Sequence, residues 1–286
     1  MLAQSTHSAE DRRKALYQRG RTTIFSCKAD PRFSYSLYVP EDIDTVGNPE
    51  LLVAVHGTAR MQFQYREAFA GFGHYNNTVV LAPLFPVGVR GDGDADGYKY
   101  ILEGDIRYDL VLLSMVAEVE EMLGCRFPPF MLFGFSGGGH FTHRFLILHP
   151  EKLKAVSIGS PGSVTLLDRD RDWWVGIRNM RELFGRDLNV PALRAVKVHL
   201  AVGGADVETW EIQHREGGRR YMEGANDAGL TRVDRNNSLR ASLEKEGVTV
   251  TQDIVPGVAH NMEGIVPYTI RFFRSVLQNQ GDQASK

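Results

Sequence analysis

The sequence predicts an α/β protein: a doubly wound, mostly parallel sheet, opened by an N-terminal antiparallel hairpin. Three observations predict it. Short apolar runs of five or six residues recur along the chain, helical patterns fall between them, and one run passes through a glycine-rich turn straight into a helix. Continuous runs of that length suit strands buried on both faces, and strands separated by helices need crossover connections.

The elements follow in order. Residues 22–27 (TTIFSC) and 33–39 (FSYSLYV) alternate around Pro31 like half-buried strands, which gives the hairpin. LLVAV (51–55), TVVLA (78–82), FMLFGF (130–135), AVSIG (155–159) and KVHLAV (197–202) are the buried strands, and TVTQDIV (249–255) is a more alternating last one. Over 109–123, Leu112, Met115, Val116, Val119, Met122 and Leu123 recur at helical spacing, and Gly124 can end that helix. A helix from Gly138 to Leu148 stops before Pro150, whose ring disfavours a helical His149. Val266, Ile270, Phe273 and Leu277 make one stripe of a C-terminal helix with Pro267 near its first turn.

Two stretches break the alternation. Residues 160–195 carry an Arg/Asp-rich run with Trp173 and Trp174, and residues 207–228 carry Trp210, His214, Arg219, Arg220 and Tyr221. Both leave the C-terminal ends of predicted strands, where open α/β sheets bind ligands. They are expected to be cap-like or site-lining insertions in one domain spanning 1–286, with Trp173, Trp174 and Trp210 as candidate substrate contacts.

Composition narrows the function classes. A formal net charge of -2 gives no basic field for nucleic acid or an anionic membrane. No run approaches the roughly 18 apolar residues of a membrane span. The first residues, MLAQSTHSAEDRRKA, contain no apolar stretch of the kind a secretory signal has. Cys27 and Cys125 lie far apart and match no metal spacing. The expectation is a cytoplasmic protein acting on a small molecule, with no cofactor and no metal.

The chemistry-bearing motif is Gly134-Phe135-Ser136-Gly137-Gly138, a G-x-S-x-G match between an apolar strand and a helix. On such a turn small residues two before and two after the serine relieve backbone crowding, and Oγ projects over the sheet. The helix that follows favours developing negative charge at its N-terminus. Ser136 is therefore the candidate nucleophile. LLVAV runs into His56-Gly57-Thr58-Ala59-Arg60, so Thr58 (with Ala59 as the alternative) and Gly137 are the candidate oxyanion amides. His56 reads as a side chain that braces this loop.

Where a serine sits on such a turn, the acid and the base follow it in the order Asp or Glu, then His. Of the later histidines only His260 leaves the last strand on a loop, VPGVAHNMEG, before the C-terminal helix. The acid should leave the preceding strand, which continues as Gly203-Gly204-Ala205-Asp206. Asp206 is the choice, ahead of Glu208 and Asp227, with Asp253 inside a strand.

Together the serine turn, the HG loop, the GGAD turn and the PGVAH loop resemble the α/β-hydrolase superfamily, from about Phe33 to the C-terminal helix. Within it, FTHRFLILHP, the polar excursion and the late VPGVAH turn resemble cytoplasmic esterases of the poly(3-hydroxybutyrate)-depolymerase-like kind. The sequence departs from that pattern at a third glycine, Gly139, and at an acidic loop, 91–97. The resemblance implies the α/β-hydrolase fold and a serine hydrolase acting on a carboxylic ester. The alternative keeps the triad and changes the bond to a lactone, thioester, amide or activated carbon–carbon bond.

Two further readings concern charge. Arg60, Arg178, Arg219 and Arg220 could meet a substrate carboxylate, but read as surface charge. Residues 92–103 (DGDADGYKYILE) fit a calcium-loop pattern through Asp92, Asp94, Asp96, Gly97 and Glu103. The approach holds Pro83, Pro86 and Gly88 and leaves no room for an entering helix, so no tight calcium site is expected.

Overall fold

Runs of β-branched and aromatic residues build the sheet. The computed structural model describes residues 17–45, 47 and 49–284. The N-terminal stretch read above for its lack of an apolar run lies outside these. In chain order the strands are β1 (Gly20–Ser26), β2 (Ser34–Val39), β3 (Glu50–Val55), β4 (Thr78–Leu84), β5 (Leu102–Glu103), β6 (Ile106–Arg107), β7 (Phe130–Phe135), β8 (Leu153–Gly159), β9 (Lys197–Gly203) and β10 (Val250–Val255). Eight of them form one sheet in the order β1-β2-β4-β3-β7-β8-β9-β10, while β5 and β6 make a small separate hairpin. β1 and β2 pair antiparallel, β2 and β4 pair antiparallel, and every neighbour from β4 to β10 is parallel.

The helices are α1 (Gln62–Tyr75), α2 (Tyr108–Leu123), α3 (Gly137–Leu148), α4 (Met180–Phe184), α5 (Val190–Ala195), α6 (Arg232–Lys245) and α7 (Met262–Ala284). They cover both faces, as a parallel sheet requires. On one face Leu112, Met115, Phe141, Phe145 and Leu239 pack into a core with Phe33 and Leu132. On the other Tyr65, Phe69, Phe72, Ile265 and Phe273 pack around Phe133. Among the described residues no helix is long and apolar enough to cross a membrane.

Four helices appear that periodicity did not mark: α1, α6 and the short α4 and α5 inside the 160–195 excursion. The last helix also begins earlier than expected. Asn261 Oδ1 accepts from the Glu263 amide at 2.7 Å, which caps the chain at that point and leaves Pro267 inside the helix rather than near its first turn.

The excursion over 160–195 is woven into the main core, where Val164, Leu167, Ile177, Met180 and Phe184 are buried. The stretch 207–228 contains turns and no helix or strand. Three adjacent strands also share a polar network on the α7 side. Ser157 Oγ lies 2.9 Å from His199 Nδ1 and 2.9 Å from Thr269 Oγ1, and His199 Nε2 lies 3.1 Å from Asp253 Oδ2.

Candidate active site

The strand order places the site. From β3 the chain crosses outward to β4, while β7 lies on the other side of β3, so connections diverge between β3 and β7. The crevice beyond the carboxyl ends of two such strands is where open sheets bind ligands. The HG loop leaves β3 and the serine turn leaves β7.

Ser136 has φ 56° and ψ −117°, a positive φ that a residue with a Cβ adopts only under constraint. The constraint is close packing. A Cβ on Gly134 would collide with the Gly138 carbonyl and Thr142 Oγ1, and one on Gly138 with the carbonyls of Val55 and His56. The third glycine has the same cause: a Cβ on Gly139 would strike the Gly159 carbonyl at the end of β8. Ser136 N–H donates to that same carbonyl at 2.9 Å.

The three residues chosen for the triad lie together. His260 Nε2 is 2.9 Å from Ser136 Oγ, and His260 Nδ1 is 2.7 Å from Asp206 Oδ2. The loops that carry them are stitched to each other, since the Ala205 amide donates to the Val258 carbonyl at 2.9 Å. Burial of Asp206 raises its pKa. The hydrogen bond and charge of His260 and the charge of Arg232 outweigh that, so the carboxyl stays below its ordinary range and ionised. An ionised Asp206 only accepts. The neutral imidazole therefore carries its proton on Nδ1, and Nε2 is free to accept from the serine hydroxyl. Phe135 packs on the ring at 4.8 Å between centroids.

The HG loop is braced from beneath. The Phe85 amide donates to His56 Nε2 at 3.0 Å, so the ring proton is on Nδ1, which donates to the Gly57 carbonyl at 2.8 Å. Complete burial lowers the His56 pKa to about 3, so the ring stays neutral. The Gly57 amide donates to Tyr65 Oη at 2.9 Å, which leaves Thr58 and Ala59 as the amides that can face the cleft. Gly137 opens α3, and a Cβ there would press against Thr58 Oγ1 at 3.0 Å and Lys99 Cε at 3.1 Å.

These groups open into a cleft of about 750 Å³ lined by Thr58, Ala59, Ser136 and His260 and walled largely by 211–221. The other acids considered are elsewhere: Asp227 pairs with Arg171, Asp253 lies beside His199 and Arg271, and Glu208 is exposed.

The tryptophans do not line the cleft, which corrects the sequence expectation. Trp174 is buried behind the wall, its ring 5.2 Å from Tyr100 and 4.7 Å from His214, and its Nε1 donates to the Arg220 carbonyl. Trp173 packs on Phe184 at 4.8 Å and donates to the Tyr100 carbonyl. Trp210 is 69% exposed. The indole donors find backbone partners one layer back, while Tyr100, His214 and Tyr221 present the surface instead.

The acidic loop is neutralised by two cations of the opposite wall and one of its own. Asp92 pairs with Arg219 at 2.9 Å, Asp94 with Arg220 at 2.7 Å, and Asp96 with Lys99 at 2.6 Å. Glu103 accepts from Tyr108 Oη at 2.6 Å. Arg178 pairs with Asp172 at the surface, as expected, and Arg60 donates to the Thr58, Phe85 and Ala95 carbonyls. Arg219 and Arg220, read from sequence as surface charge, line the cleft.

Sequence reasoning passed over Arg232. It is buried, donates to Asp206 Oδ1 at 3.0 Å and to Glu211 Oε2 at 2.8 Å, and lines the cleft. The one local signal was Thr231-x-x-Asp234, a capping box that starts α6.

No protein-family profile matches the chain, and no curated protein sequence is similar to it. Solved structures are. Poly(aspartic acid) hydrolase-1 from Sphingomonas sp. KT-1 superposes with TM-score 0.71 at 20% identity, covering 88% of this chain and 98% of the other. LpqC, a poly(3-hydroxybutyrate) depolymerase from Bordetella parapertussis, gives TM-score 0.71 at 18% identity over 90% of each chain. The fluorophosphonate-binding serine hydrolase FphF of Staphylococcus aureus gives 0.57 at 14%, over 90% of this chain and 99% of that one. The eight-stranded sheet, its strand order and these superpositions agree: the chain has the α/β-hydrolase fold.

Proposed function

We propose that this protein is a serine hydrolase that cleaves a carboxylic ester of a small organic molecule through an acyl-enzyme. The observation that carries the reading is His260 bridging Ser136 and Asp206 at the mouth of the cleft. In this reading Ser136 Oγ attacks the ester carbonyl and its proton passes to His260 Nε2. The amides of Thr58 and Gly137 hold the oxyanion, worth about 3–4 kcal/mol for one such donor. The proton on Nε2 then goes to the departing alkoxide, and water repeats the sequence to release the acid. Asp206 holds the imidazole and offsets its charge while Nε2 is protonated.

The reading includes a cytoplasmic address, which the free thiols of Cys27 and Cys125 favour, and it requires no cofactor. The test is labelling with a fluorophosphonate, followed by a panel of esters, lactones, thioesters and amides with Ser136→Ala as the blank. Labelling at Ser136 with ester turnover that the blank lacks is the expected result. A folded protein that neither reacts with the probe nor hydrolyses any member of the panel overturns the proposal.

A further inference from the structure

The cleft is more cationic than the chain that surrounds it. Five cationic side chains line it: Lys99, Arg215, Arg219, Arg220 and Arg232. Two carboxylates, Asp96 and Glu211, line it with them. Two more guanidiniums are buried in its walls. Arg144, from α3, is fully buried and is met by the Lys99 and His140 carbonyls, Thr165 Oγ1 and Ser163 Oγ. Arg235, from α6, is fully buried among the carbonyls of Gly229, Gly162 and Ile212 and the Asn226 side chain. Neither has a carboxylate at ion-pair distance among the described residues, and neighbouring Asp234 is occupied capping its own helix.

Adding the carboxylates that pair with lining residues (Asp92, Asp94 and Asp206) still leaves seven cations against five acids. The whole chain has a formal charge of -2, so the excess is local. Uncompensated guanidiniums in a low-dielectric wall are costly and attract negative charge into the space they face.

Donor capacity is also left over. The Nε of Arg220 and the Nε of Arg232 are buried without a hydrogen-bond acceptor among the described residues, and the Arg232 side chain is 4% exposed. Arg215 makes no ion pair among the described residues. The Lys99 ammonium, held by Asp96, belongs to a side chain whose Cε stands 3.1 Å from where a Gly137 Cβ would be, beside the candidate oxyanion amide. A carboxylate joined to the scissile carbonyl by a short spacer would reach that cation.

We infer that the substrate is an ester bearing a carboxylate, which Lys99, Arg215 and Arg220 hold on the wall formed by 97–100 and 207–228. The inference rests on the hydrolase reading and adds the charge of the molecule cleaved.

The experiment compares monomethyl succinate with methyl isohexanoate, a neutral ester of the same shape. In the wild-type protein at low salt, kcat/KM for the anionic ester is expected to exceed that for the neutral one by about tenfold or more, and added salt lowers the ratio. Lys99→Met, Arg220→Gln and Arg215→Gln are each expected to reduce that ratio. Arg215 is exposed and makes no ion pair among the described residues, so its variant keeps the test open if the others fold poorly. A wild-type ratio at or below one, or a ratio unmoved in every folded variant, overturns the inference while turnover of the neutral ester leaves the hydrolase reading standing. If Ser136 takes the fluorophosphonate but neither ester is cleaved, succinate protection of Ser136 from the probe decides: protection supports the anion site and its absence overturns it. Failure to label Ser136 together with no hydrolysis of any ester removes the hydrolase reading and this inference with it.

Discussion

Arg232 and Asp206 form a buried ion pair 3.0 Å apart, in which the arginine takes the carboxylate oxygen that His260 leaves. The same guanidinium reaches Glu211, so a residue of the cleft wall is tied to the Asp206 carboxylate through one side chain. Arg232→Met strands a buried carboxylate oxygen and removes a charge that helps keep Asp206 ionised. Hydrogen bonds to charged groups contribute about 1.5–3 kcal/mol, so kcat should fall roughly 10- to 100-fold. KM for a neutral ester should move much less, and Arg232→Lys should recover part of the loss. Steady-state kinetics on folded variants check this; equal changes in kcat and KM with a lowered melting temperature would mean that Arg232 only supports the fold.

Ser136→Ala and His260→Ala should each lower turnover by roughly 10⁴-fold or more with the fold intact, because triad members act as a unit. Asp206→Asn should be severe and somewhat milder, since the amide can still occupy the site. A folded Ser136→Ala protein with wild-type turnover would show that chemistry takes place elsewhere.

Gly139→Ala tests the packing behind the turn. Its methyl group meets the Gly159 carbonyl, backbone that cannot rotate away. Overpacking of this kind costs about 1–3 kcal/mol. Urea unfolding should show the loss, and because Ser136 N–H donates to the same carbonyl, activity should fall beyond what stability explains. A variant as stable and as active as the parent would show that the helix can shift outward freely.

The tryptophans should separate by layer. Trp174→Ala removes the ring behind Tyr100 and His214, so it should destabilise the protein by about 3–5 kcal/mol, the range for a buried aromatic. Trp210→Ala, at an exposed position, should stay within about 0.5 kcal/mol. A panel of ester chain lengths completes the test: any change in ranking should come from Trp174→Ala, and a change from Trp210→Ala would return that residue to the substrate path.

Acid should unfold the protein early. Burial holds five histidine pKa values down: His56 to about 3, His214 to about 4, His140 and His143 well below normal, and His199 below normal despite Asp253. In the unfolded chain they titrate near 6.5, so below that pH the unfolded state binds more protons and stability falls as pH drops. Between pH 7 and 5 each of the most shifted rings should remove about 1–2 kcal/mol. Urea midpoints at the two pH values measure it; a flat profile would mean that these rings protonate in place.

What was legible in the sequence was what is local. FMLFGFSGGGHF sets strand, turn and helix within a dozen residues, and Gly134, Gly138 and Gly139 each answer to a neighbouring backbone carbonyl. The order of Ser136, Asp206 and His260 is likewise readable along the chain. α6 was not readable, because its buried side includes Arg232, Arg235 and Asn236, polar residues whose partners include Asp206, the Gly162 carbonyl and Gln252 of β10. α1 carries its apolar side on Tyr65, Phe69 and Phe72 but is interrupted by Gly71 and by Gly73, which packs tightly against the Thr78 carbonyl and Tyr38. The tryptophans misled because composition places an aromatic near a strand end without saying which layer it fills.

The network of Ser157, His199 and Asp253 has a consequence for how such sites are found. This chain contains two hydrogen-bonded Ser–His–Asp sets, and residue types with distances alone would select both. In the interior set the imidazole is reversed, with Nδ1 toward the serine and Nε2 toward the acid, and Ser157 lies fully buried inside a regular strand. Ser157 does not line the cleft that Ser136 lines. A covalent inhibitor would thus meet only one of two similar constellations, because the positive φ at Ser136 turns its hydroxyl out of the sheet while Ser157 stays buried within a strand.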